Sequence, residues 1–132
     1  MLALARNYGK GMVFLKEIAA EEDISEKYLS QLIIPLRSIG LVASSRGAYG
    51  GYQLAKSPEE ITLKDIMEVM EGFQISDCLG NGGTCERVGF CPAREVWKEL
   101  SERIAETLAS FSLDRLLRMG AEKRENTLNQ NI

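Results

Sequence analysis

The sequence has no histidine, which removes the most common general base and the imidazole ligand from any chemistry it performs. Its cysteines number three, too few and too odd for a disulfide framework. They point instead to metal binding or thiol chemistry in a reducing compartment. No C-x-x-C pair and no histidine base are present, so a thiol redox enzyme is disfavoured, and we expect a protein that is not an enzyme. No apolar run approaches the ~18 residues needed to cross a bilayer, and no basic segment precedes a cleavable apolar stretch. We therefore expect a cytoplasmic protein without a membrane partner.

What is present fits one domain: 132 residues bury a real core but not two independent ones. The formal charge of −3 argues weakly against nucleic acid. Its distribution matters more, because residues 1–56 carry seven Lys/Arg against five acidic residues, leaving the acidic excess to the rest of the chain. The positive share coincides with the elements that read as DNA-binding.

The chain opens on an apolar helical pattern with no capping residue before it. We expect either a short first helix or a longer one whose upstream turns lie outside this sequence. Leu15, Ile18 and Ala19 share one face of a second helix. After the turn at Glu22, Asp23 and Ile24, Ser25 caps a third, whose apolar stripe is Tyr28, Leu29, Leu32, Ile33 and Leu36. Pro35 is expected to kink it and Gly40 to end it. Two strand-like runs, residues 41–45 and 51–55, flank a glycine turn that presents Arg46 and Tyr49. The order helix, helix, hairpin is that of a winged helix-turn-helix. Thr62 caps a helix over residues 63–71, stopped by Gly72. Pro92 opens a long helix with Val96, Trp97, Leu100, Ile104, Leu108 and Phe111 at threes and fours, a single apolar stripe that requires a partner. Ser112 caps a last short helix, and the polar residues after it are expected to be disordered. The fold class is thus mainly α with a small β-hairpin wing. Its divisions are a winged helix-turn-helix domain (1–72), a cysteine loop (73–92), dimerisation helices (93–119) and a tail (120–132).

On the third helix, Ser25, Lys27, Tyr28 and Gln31 lie near the end that enters a groove. Lys27 suits a phosphate and Gln31 an adenine, while Arg46 and Tyr49 on the thin wing reach where a packed loop does not. The run from Gly47 to Gly51 lacks the Gly-Lys-Ser/Thr ending of a phosphate loop and precedes a strand, which excludes that reading. The spacing Cys78-x6-Cys85-x5-Cys91 lies in a glycine-rich loop that ends at a helix N-terminus. Thiolates so placed are ligands for zinc or an iron–sulfur cluster. Three are one short of the usual four, leaving the fourth to a carboxylate, an exogenous molecule or a second subunit.

The runs Ile24-Ser-Glu-Lys-Tyr-Leu29, Leu36-Arg-Ser-Ile-Gly-Leu41-Val and Arg46-Gly-Ala-Tyr-Gly-Gly-Tyr52-Gln-Leu, with Ile61-Thr-Leu and the three cysteines, closely resemble the Rrf family of IscR- and NsrR-like bacterial regulators. The resemblance implies a homodimer, joined through the long helix, that binds a pseudo-palindromic site in double-stranded promoter DNA, most often as a repressor. It also implies a two-iron, two-sulfur cluster, or four-iron, four-sulfur in some members, on Cys78, Cys85 and Cys91. That cluster would sense iron–sulfur status, nitric oxide or redox stress. Ser25, Lys27, Tyr28 and Gln31 match the family's recognition-helix positions, and Arg46 its wing Arg. This chain departs from the pattern at two places. Arg94 stands where IscR-like members have a His ligand, and Ser30 where they have Glu. A rival of another class is a zinc-stabilised interaction module without DNA function.

Overall fold

The computed structural model describes residues 1–70, 72, 75–80 and 85–131. Among these residues six α-helices and one hairpin follow in the order α1 (Leu2–Arg6), α2 (Leu15–Glu21), α3 (Glu26–Ser38), β1 (Val42–Ser45), β2 (Gly51–Leu54), α4 (Leu63–Met70), α5 (Pro92–Ala109) and α6 (Leu113–Gln130). A 3-10 turn, Asp77–Leu79, precedes α5. The mainly helical, winged-helix architecture is the one the spacing predicts.

Local chemistry explains the boundaries. The Ser25 hydroxyl accepts from the Tyr28 amide at 3.1 Å, the N-cap that starts α3. Glu17 reaches back to the Phe14 amide at 3.0 Å and opens α2 in the same sense. Thr62 and Asp65 exchange side-chain-to-backbone bonds of 3.2 and 2.9 Å, a full capping box at the head of α4. Helix α3 runs through Pro35 to Ser38. Gly40, at φ +79°, then takes the left-handed conformation that lets the chain turn into β1.

The strands pair antiparallel, Val42 opposite Leu54 and Ser45 opposite Gly51. Val13 adds a one-residue third strand, exchanging bonds of 2.9 and 2.8 Å with Tyr52. That approach requires glycine at position 51, where φ is +135° and a Cβ would stand 2.6 Å from the Val13 carbonyl oxygen.

The core joins Ala3, Leu4, Ile18, Ile33, Leu36, Leu41, Val42, Leu54 and Ile61 to Leu113. It is therefore not confined to residues 1–72, since α6 packs on α1 and supplies Leu113. Arg6 ties α1 to the end of α2 through Glu21 and Glu22, at 2.6 and 2.7 Å. Partial burial works against its charge, but the two carboxylates hold the guanidinium above its usual value.

Two sequence expectations are corrected. The short last helix with a disordered tail is instead one helix of 18 residues reaching Gln130. Gly120 is accommodated within it, no proline follows, and Ala121, Glu122, Lys123 and Arg124 are good helix formers. Tyr28 is not part of the buried stripe of α3. It is 54% exposed, because in the first turn Leu29 is the side chain that packs on the core, followed by the buried Ile33 and Leu36. The expected end of α4 at Glu71, residues 73, 74 and 81–84 of the cysteine loop, and Ile132 of the tail lie outside the described residues.

Candidate nucleic-acid interface and cysteine segment

Helix α3 buries Ile33 and Leu36 against the core and turns Lys27, Tyr28 and Gln31 outward. Ser25 serves as its cap, its hydroxyl oxygen accepting from the Tyr28 amide while its O–H remains a donor. Ser30 donates to the Lys27 carbonyl at 2.6 Å. At the wing, Arg46 is exposed and Tyr49 is 98% exposed. The turn below them is fixed by a Gly50-to-Gly47 backbone bond of 3.0 Å. A Cβ at Gly50 would collide with the Ser45 carbonyl oxygen, so the tip is closed on itself. Among the described residues, Lys27, Arg37 and Arg46 form no ion pair, which leaves their charge available to an external anion.

The cysteines are distributed differently. Cys78 lies in the 3-10 turn, half-buried, with its sulfur 3.2 Å from the Ser76 hydroxyl. Cys85 is exposed, and half-buried Cys91 is the N-cap residue of α5. All three are free thiols. Among the described residues no three Cys, Asp or Glu side chains stand together in a metal-holding group. In donor chemistry the set fits a thiolate-held cluster but for one ligand, with no imidazole to complete it. Arg94 stands one turn beyond Cys91, its amide donating to the Cys91 carbonyl at 3.3 Å. Its Nε is buried without a partner among the described residues. Its guanidinium lies 3.9 Å from the Glu95 carboxylate.

A backbone clamp, for which no local sequence signal exists, links this segment to the rest. Thr62 and Ser112 form an isolated antiparallel bridge. Leu63 N–H donates to Phe111 C=O and Leu113 N–H to Ile61 C=O, each at 2.9 Å. Arg115 reinforces the corner, lying 4.2 Å from the centre of the Phe111 ring and donating to the Ser110 carbonyl at 3.0 Å. The two fully buried large side chains of the described core, Ile61 and Leu113, flank it. The chain from Thr62 through α4, the cysteine segment and α5 to Ser112 is thus a closed circuit. Within it α4 touches both α3 and α5.

A helix-turn-helix with a glycine-tipped wing and outward polar and basic side chains defines a winged-helix DNA-binding protein. The comparisons give its family. The Rrf2 profile, described as "Iron-dependent Transcriptional regulator", matches residues 1–119. The chain belongs to the Rrf2 family of transcriptional regulators. It is 40% identical over 117 residues to the HTH-type transcriptional regulator CymR of Bacillus subtilis, covering 88% of this chain and 80% of that one. The solved structure of IscR from T. potens superposes with a TM-score of 0.74 at 38% identity, covering 92% of this chain and 80% of that one. That of CymR, the global cysteine regulator of B. subtilis, gives 0.69 at 40% identity, covering 87% and 84%. These relatives are transcriptional regulators rather than enzymes. No described helix is long and apolar enough to cross a membrane.

Proposed function

We propose that the chain is a homodimeric, cytoplasmic repressor that binds double-stranded promoter DNA and whose affinity follows the state of its cysteine segment. Lys27, Tyr28 and Gln31 meet the major groove, with Ser25 holding the helix end that presents them. Arg46 and Tyr49 extend the contact from the wing. Dimerisation through α5 is supported by its exposed apolar side chains, Val96, Trp97 and Leu100, and by the lack of any buried residue on that helix in a single chain.

Cys78, Cys85 and Cys91 would hold an iron–sulfur cluster, most simply two-iron, two-sulfur, with four-iron, four-sulfur the other form. When bound, it supplies a centre that responds to oxidants and nitric oxide. The observation that carries the regulatory reading is the closed circuit. Its ends are fixed at the bridge between Thr62 and Ser112, so rearranging the cysteine segment at the far end must alter how α4 meets α5. Because α4 also packs on α3, the recognition helix moves with it relative to the dimer helix. In a dimer that changes the separation of the two recognition helices, which must match half-sites ~34–36 Å apart.

Protein purified anaerobically is expected to contain iron and sulfide and to absorb visible light, and Cys85→Ala to lose that absorption. A wild-type protein that stays colourless after anaerobic reconstitution would remove the cluster from this reading. Metal analysis finding one zinc and neither iron nor sulfide, together with no salt-dependent DNA binding, would favour the zinc-stabilised module instead.

A further inference from the structure

The outward face of α3 carries one apolar side chain among polar ones. At about 100° per residue, Lys27, Gln31, Ile34 and Ser38 fall within an arc of roughly 60°, opposite the buried Ile33 and Leu36. Ile34 is 62% exposed, the most exposed large aliphatic side chain among the described residues of the winged domain. The other three members of that line are polar.

We infer that Ile34 is a specificity residue, reading the 5-methyl group of a thymine in the major groove. This rests on the DNA-binding reading given above. The thymine methyl is the apolar feature of the base-pair edges in that groove, and an aliphatic side chain is its natural partner. Gln31 lies about 4.5 Å back along the helix axis, against ~3.4 Å between base pairs. The two side chains therefore address base pairs one or two steps apart, an adenine by Gln31 and a thymine by Ile34. Beside Ile34 runs an open groove of about 510 Å³, whose walls include Arg37, Ser38 and Ser44. The Ser38 hydroxyl already donates to the Pro35 carbonyl at 2.8 Å, which leaves the Arg37 guanidinium and the Ser44 hydroxyl, next to the apolar reader, to suit the sugar–phosphate backbone flanking the methyl group.

The test uses duplexes enriched from a random library by the full-length protein, with each thymine then replaced in turn by deoxyuridine, which removes only the methyl group. Wild type is expected to lose affinity about three- to fivefold at one thymine in each half-site, the worth of one methyl removed from water. Ile34→Ala is expected to bind the thymine and deoxyuridine duplexes alike at that position, and Ile34→Val to retain part of the difference. The inference is overturned if no deoxyuridine substitution weakens wild type, or if Ile34→Ala keeps the full methyl dependence. Failure of wild type to enrich any duplex would overturn the DNA reading itself, and Ile34's role with it.

Discussion

Replacing Leu113 by alanine is expected to destabilise the protein by about 2–5 kcal/mol, the range for truncating a fully buried leucine. Leu113 is 1% exposed and packs in the core beside Ile61, at the corner where α5 gives way to α6. The substitution leaves its amide free to keep the bond to Ile61, so the loss is one of packing. Against a total stability of ~5–15 kcal/mol it is large enough to lower the urea midpoint clearly. Leu128→Ala is the matched control. That leucine is 67% exposed near the end of the same helix, and its truncation is expected to cost within about 0.5 kcal/mol. Equal midpoints for Leu113→Ala and wild type, at one protein concentration, would show that α6 does not belong to the core.

Arg46→Ala is expected to weaken binding to an enriched duplex by roughly 10- to 100-fold, the equivalent of ~1–3 kcal/mol for a well-made base contact. Arg46 is exposed on a turn held by Gly50 and Gly51, and among the described residues it forms no ion pair, so removing it should leave the fold intact. Salt dependence separates two ways of acting. If Arg46 neutralises a phosphate, the slope of log affinity against log salt falls by about one and all sequences suffer equally. If it inserts into a narrow minor groove, the loss is greatest where A-tracts flank the site. Unchanged affinity would argue against a wing contact.

Much of this fold is legible residue by residue. Ser25, Thr62, Ser112 and Pro92 mark helix starts by chemistry that acts within one turn, and the observed helices begin beside them. Gly40 and the wing glycines mark turns for the same local reason. The length of α6 was not legible, because polar composition signals disorder while the same Glu, Lys and Arg residues favour a helix once a packed first turn has nucleated it. Nor was the pairing of Thr62 with Ser112, which joins residues fifty positions apart through backbone atoms alone. Of the candidate site, exposure on α3 and the wing followed from spacing. The cysteines are a different matter. Ligand type is visible in the sequence, but the path between Cys78 and Cys85 is a glycine-rich run without periodicity.

The most direct test of the regulatory proposal is the affinity of the full chain for one enriched duplex, measured anaerobically before and after iron–sulfur reconstitution. A shift of at least about tenfold is expected, within the range of coupling between two sites that share a two-state element. Equal affinity in the two states, with iron and sulfide verified in the reconstituted sample, would contradict it.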